Sequence, residues 1–233
     1  MINSTINEYP ELLPANVIER AKRLGSALLC DGMLELGIPN EGAMEAEILP
    51  VSSSMVTVGT ACTVDTSNGD NLPIHLALYT ANPGYVMVIA GAGHKDHAYI
   101  GDLMISTAKA VGLNGIVIDG FIRDREECIK LGFPVFSKGF MQRGPIKQNA
   151  GEINSPVHCG GLLVNPGDLV IGDADGVTVV PKNRIEVVLE KAEKKYEYEK
   201  ARRELISAYE NARLNGDALP DLTPDWVKKM LNQ

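Results

Sequence analysis

VMVIAGAGHKDHAYIGDLMISTAKAVGLNGIVIDGFIRD, residues 86–124, decides the reading of the fold. It opens inside the apolar run YVMVIA (85–90), which has no polar side to turn toward water and reads as a strand buried on both faces. GDLMISTAKAVG then carries apolar residues at helical spacing and stops at Gly112, and GIVID (115–119) is a second buried strand. Strand, helix and strand at this spacing make a βαβ crossover between parallel strands. Sheets of that kind bind ligands beyond the carboxyl ends of their strands. Those ends are Gly91–Gly93 here, and then Asp119–Asp124.

Outward from this stretch the chain keeps mixing helices and strands. Upstream, MVTVGTACTV (55–64) is a strand or a strand pair around Gly59, LPIHLALYTA (72–81) is a short helix, and Asn82-Pro83-Gly84 is a turn. The first 50 residues read as two or three short helices, with Asn16 capping VIERAKRLGSALLC and Asp31 capping GMLELG. Downstream come a helix in DREECIKLG, a strand in FPVFSKG and a loop-like stretch to Gly161. LLVNPGDLVIGDADGVTVVP (162–181) is a hairpin-like series of strands, split by Asn165-Pro166-Gly167 and by Asp173–Gly176. A long charged helix runs from about Asn183 to Asn215, before a Pro-containing tail. The expected organisation is an α/β domain with N-terminal helices over 1–182 and a helical extension over 183–233.

Composition narrows the function. The 233 residues carry a formal charge of −8, which argues against a nucleic-acid coat. No apolar run approaches the roughly 20 residues that span a bilayer, and the start, MINSTINEYPELL, has neither a basic flank nor an apolar core. A cytoplasmic protein is expected. Cys30, Cys62, Cys128 and Cys159 form no C-x-x-C pair and read as buried free thiols.

The first half of the opening stretch imitates a dinucleotide fingerprint, with Gly91-Ala92-Gly93 after a strand and Asp119 ending the next. It fails at Asp96, where the third glycine should allow close packing and a carboxylate would face the pyrophosphate. Better candidates follow. Asp102 stands where the helix begins. As its cap it would leave the amides of Leu103 and Met104 outward, a site for an anion such as a substrate carboxylate. Arg123 is suited to a bidentate grip on a carboxylate or a ketone, and Asp124 to a hard divalent cation that keeps its waters. A surface ion pair with Arg125, Glu126 or Glu127 is the alternative for both.

Gly91-x-Gly93, Gly101-Asp102, Asp119-Gly120 and Arg123-Asp124 together resemble the RraA-like family, in which active members carry an aspartate, twenty residues, then Arg-Asp. Asp102 and Arg123-Asp124 reproduce that spacing. GTACTV (59–64), GDN (69–71) and PGDLVIGDADGVTVVP (166–181) are similar to further family stretches. The resemblance implies an α/β/β/α sandwich of the swivelling type with a long C-terminal helix. The implied assembly is a homotrimer or hexamer with sites between subunits.

It also implies a class II, divalent-metal lyase. Such an enzyme is a 4-hydroxy-4-methyl-2-oxoglutarate aldolase with oxaloacetate decarboxylase activity, taking a small 2-oxo acid to pyruvate through a stabilised enolate. Carried over by position, Asp124 would hold Mg²⁺ or Mn²⁺, Arg123 would contact the keto acid and steady its enolate, and Asp102 would orient a metal-bound water or Arg123. Gly101 and the amides of Leu103 and Met104 would seat the substrate. A C-terminal glutamate, Glu199 or nearby Glu197, would reach a neighbouring subunit's metal shell; an intrahelical pair with Arg202 or Arg203 is the alternative. The family also includes regulators that bind and inhibit an RNA-degrading enzyme, so a non-catalytic binding role is the competing expectation. His94 and His97 read as polar loop residues near the site.

Overall fold

The computed structural model describes residues 4–231. In chain order it runs β1 (Thr5–Ile6), α1 (Ala15–Glu35), β2 (Leu49–Pro50), β3 (Thr57–Asp65), α2 (Leu72–Thr80), β4 (Tyr85–Ile100), α3 (Asp102–Ala110), β5 (Gly115–Ile122), α4 (Arg125–Leu131) and β6 (Val135–Phe140). It continues through β7 (Glu152–Ile153), β8 (Val157–Cys159), β9 (Leu162–Val164), β10 (Leu169–Asp173), β11 (Gly176–Val180), α5 (Ile185–Asn215) and α6 (Asp225–Leu231).

β3, β4, β5 and β6 pair in parallel, the expected βαβ arrangement repeated. Because successive side chains alternate between faces, these apolar runs feed two cores. Cys62, Met87, Ile89, Ile116 and Ile118 face helices α2, α3 and α4, packing with Ile74, Leu78, Ile105, Ala108 and Cys128. Ala61, Val86, Val88 and Val117 face a second layer of strands and pack with Val157, Cys159, Val164, Val170, Val177 and Val179. β10 joins the two layers, pairing antiparallel with both β3 and β11. On the outside of that layer lies α1, tied down by Cys30 Sγ and Thr178 Oγ1 at 3.2 Å. Gly32 of α1 comes so near the start of α5 that a Cβ there would lie 2.8 Å from the Val188 carbonyl oxygen. Helices, strands, strands and helices are therefore stacked as the α/β/β/α order requires.

Local departures from the sequence reading have tertiary causes. α1 begins at Ala15 after Pro14, so Asn16 lies inside it and is not its cap. Its break falls at Gly25 (φ 80°, ψ 173°), not at Asp31. Positive φ is cheap only for glycine, and the helix restarts because Asp173, a residue of β10, caps it. Its Oδ2 accepts from the Ser26 amide at 2.8 Å, and its Oδ1 from the Ser26 hydroxyl at 2.7 Å. β4 does not end at Ala90. It continues to Ile100 through register shifts against β5, so His94 and His97 lie in a bulged strand and not in a loop.

The chain divides into a compact unit through Ala192 and a second unit, Glu193–Gln233. In the first unit the start of α5 buries Ile185, Val188, Leu189 and Ala192. In the second, Arg202 donates to the Leu222 carbonyl at 2.9 Å, and Lys228 meets Asp221 at 2.8 Å. Among the described residues, no helix is long and apolar enough to cross a membrane.

Candidate active site

Two strand ends meet at the site, the first of them after Ile100 and not at Gly91–Gly93 as the sequence suggested. β4 delivers Gly101, and the Arg123 amide donates to the Ile100 carbonyl at 3.0 Å, fastening the end of β5 beside it. Gly101, extended at φ −146°, holds the N-cap position, and Asp102 is the first residue of α3. Asp102 is thus not the cap, which corrects its expected role in shaping the turn. The consequence for ligands survives, because the first amides of a helix lack intrahelical acceptors whichever residue precedes them.

Asp124 sits at φ 61°, ψ 45°, a left-handed conformation that few side chains adopt and that aspartate tolerates. Its Oδ2 stands 3.4 Å from the Asp102 amide and 3.4 Å from Arg123 Nε. The side chains of Arg123 and Asp124 are 44% and 34% exposed. Gly101 is required here. A Cβ at that position would run into the Asp124 carboxylate and the Arg123 stem. The charges of Asp124 and Asp102 also reach Cys128 below them, whose thiol is pushed up to about 11 by burial first and by those two carboxylates next.

A cavity of ≈ 180 Å³ opens at this point, lined by Gly101–Met104 and Arg123 and also by Asn71, His75 and Lys147. Asn71 Nδ2 donates to the Tyr99 carbonyl at 2.8 Å and to Met104 Sδ at 3.2 Å, which fixes the orientation of its amide. Asp70 beneath it is fully buried. Its Oδ2 accepts from the amides of Gln148 and Asn149 and from Asn149 Nδ2, and its Oδ1 from the Leu72 amide. Burial pushes this carboxyl up, yet the hydrogen bonds outweigh it and hold it below the ordinary range. The Tyr99 hydroxyl donates to the Gly91 carbonyl and accepts the Gly69 amide, and burial pushes its pKa up. The His75 imidazole is shifted down, by burial first and the Lys147 charge second.

Of the residues singled out in the sequence, Gly101, Asp102, Leu103, Met104, Arg123 and Asp124 converge. Glu199 belongs to the second unit and pairs with Arg203 Nη2 at 2.6 Å. His94 Nε2 and His97 Nδ1 bond each other at 3.1 Å. Asn71, His75 and Lys147 were missed as site residues; only GDN (69–71) hinted at the first, and no local pattern marks the other two.

Asp124 and Asp102 offer hard carboxylate oxygens suited to Mg²⁺ or Mn²⁺. Among the described residues, no three His, Cys, Asp or Glu side chains gather to hold a metal. Two carboxylates would hold such an ion only with waters or further donors completing its shell.

This fold and constellation define a known class. The chain belongs to the RraA-like family (Aldolase/RraA), which it matches over residues 26–179. It is 43% identical over 164 residues, 70% of this chain and 78% of the relative, to a Halalkalibacterium halodurans protein provisionally named 4-hydroxy-4-methyl-2-oxoglutarate aldolase. Among solved structures it is similar to an uncharacterized protein from Pseudomonas syringae pv. tomato, with TM-score 0.74 and 28% identity over 86% of this chain and 98% of that one. It is also similar to Streptomyces coelicolor RraAS2, described as an unusual member of the RNase ES inhibitor RraA protein family, with TM-score 0.73 and 26% identity over 82% and 98%.

Proposed function

We propose that this chain is a carbon–carbon lyase that cleaves a small 4-hydroxy-2-oxo acid to pyruvate and also decarboxylates oxaloacetate. The observation that carries the reading is the meeting of Arg123 and the first turn of α3 at one cavity, with the Asp124 carboxylate 3.4 Å from both Arg123 Nε and the Asp102 amide. Asp124, with Asp102 beside it, would hold Mg²⁺ or Mn²⁺, and the ion would supply positive charge next to the developing enolate. The chain's own groups do the positioning. The amides of Leu103 and Met104 bind the substrate carboxylate at the positive end of α3. Arg123 presents its planar fork to the keto oxygen and stabilises the charge that grows there as the bond breaks. In this reading the protein works in the cytoplasm as a homotrimer or hexamer, and Glu199 serves a neighbouring subunit's site.

A pyruvate-release assay over a panel of oxo acids, with and without EDTA, tests it. Release that chelator abolishes and Mg²⁺ or Mn²⁺ restores is expected; full release in excess EDTA overturns the metal's part. The likeness to RraAS2 favours a second reading, a regulator that binds an RNA-degrading enzyme. No turnover of any oxo acid, with inhibition of such an enzyme, would select it.

A further inference from the structure

Retro-aldol cleavage needs a group to accept the proton of the 4-hydroxyl, and Arg123 and the amides of the first turn of α3 are donors only. With Arg123 and the first turn of α3 holding the carboxylate and keto end of the ligand, the hydroxyl two carbons further on would meet the other side chains that line the cavity. Those include Asn71, His75 and Lys147. Asn71 spends its amide nitrogen on the Tyr99 carbonyl and Met104. An amide oxygen is no useful base, and a lysine ammonium has no lone pair.

His75 differs. It lies in the first turns of α2, with the Tyr79 ring stacked against it at 6.4 Å and 15°. Among the described residues, no side chain or backbone group hydrogen-bonds either of its ring nitrogens. We infer that His75 is the catalytic residue that takes the 4-hydroxyl proton, which equips this cavity to cleave hydroxylated oxo acids as well as those that lose CO₂. The inference rests on the lyase reading above and deepens it.

The step balances. The O–H proton passes to a ring nitrogen of His75, the hydroxyl oxygen forms a carbonyl at C4, and the C3–C4 bond breaks. Its electron pair becomes the enolate of pyruvate, which Arg123 faces. The imidazolium formed beside the Lys147 ammonium is destabilised by like charge. It therefore returns its proton readily to C3, giving pyruvate and leaving the enzyme as it began. Burial and Lys147 keep the imidazole neutral, and so able to accept, at neutral pH. The other charged or titratable groups at this cavity are Asp102, Arg123 and Tyr99, the last kept protonated by burial. Oxaloacetate has no 4-hydroxyl, and its decarboxylation needs no such base.

The experiment is a comparison of two substrates on one protein preparation loaded with Mg²⁺. His75→Gln should lower kcat for 4-hydroxy-4-methyl-2-oxoglutarate by about 10²–10³ while most of the oxaloacetate decarboxylation remains. Equal losses on both substrates would mark His75 as structural and overturn the inference, as would no loss on either. Lys147→Met offers an independent measurement. With the cation gone, the imidazole pKa rises, so the acid limb of kcat/KM for the aldol substrate should move to higher pH; an unmoved limb also overturns it. Wild-type protein that cleaves no hydroxy acid would retire the lyase reading and the His75 role together, whereas the mutant outcomes retire the His75 role alone.

Discussion

The strand ends at 101–104 and 123–124 and the helical unit after Ala192 are built on opposite terms. At the strand ends each position is set by several neighbours. Ile100 fixes the Arg123 amide, the Asp102 amide meets Asp124, and a missing Cβ at Gly101 makes room for both side chains. Beyond Ala192, α5 has no buried residue, and Tyr198, Ile206 and Trp226 are exposed. Atoms fixed by several neighbours at once can do chemistry, and a helix that buries no side chain fixes little beyond which residues share a face. Substitutions in the two regions should therefore differ in kind as well as size.

The largest effects belong to the strand ends. Arg123→Lys keeps the charge and loses the planar fork, and Asp124→Asn loses the proposed metal anchor; each should lower kcat for pyruvate release by about 10²–10³. Near-wild-type kinetics for Arg123→Lys would return that side chain to the solvated surface. Gly101→Ala comes next. Alanine accepts the extended backbone at that position, so thermal unfolding should change little. The added methyl must push Asp124 and Arg123 aside, and a displacement of that order costs about 10² in turnover. Unchanged turnover would show that the two side chains do not need their present placement.

Asp70→Asn should act on stability instead. A buried carboxylate accepting several hydrogen bonds is replaced by an amide that puts a donor toward two backbone N–H groups, at about 1–3 kcal/mol. Because the Asp70 pKa is lowered in the folded chain, its contribution is complete above the ordinary carboxylate value near about 3.9 and disappears as pH falls through the depressed one. The mutant should be less stable at neutral pH, with the gap to wild type closing in acid. Denaturant titrations at neutral and acid pH measure this, and a gap constant with pH would contradict it.

What the sequence made legible follows the same division. Parallel strands buried on both faces announce themselves as apolar runs, so β4, β5 and the helix between them could be read from residues 85–122. The spaced Asp102 and Arg123-Asp124 were legible because each sits directly at the end of such an element. The α/β/β/α layering came from the family resemblance, since the βαβ pattern alone fits other sheets. What depended on distant chain was hidden. The second half of α1 is capped by Asp173, across 147 residues of sequence. The cavity lining also brings together residues 71, 75 and 147, and no spacing rule links a lysine in a coil segment to a histidine on a helix. Glu199 was readable as one of two things, and its bond to Arg203 is the local one.

That bond is where the smallest effect is expected. Glu199 and Arg203 lie one helical turn apart at 2.6 Å, with side chains 31% and 65% exposed. Pairs of this kind contribute about 0.3–0.5 kcal/mol and weaken with salt. Arg203→Met should therefore barely move the thermal midpoint and should leave pyruvate release unchanged. Glu199→Gln removes the same pair at the same small cost in stability. If Glu199 serves a neighbouring subunit's site, however, it lowers turnover where Arg203→Met does not. Mixing Glu199→Gln subunits with Asp124→Asn subunits sharpens the contrast. Some sites in the mixed assembly would then regain both groups, and activity would rise above that of either mutant alone. A Glu199→Gln protein with wild-type kinetics would confine the chemistry to the strand ends and leave the long helix with a role in stability or assembly only.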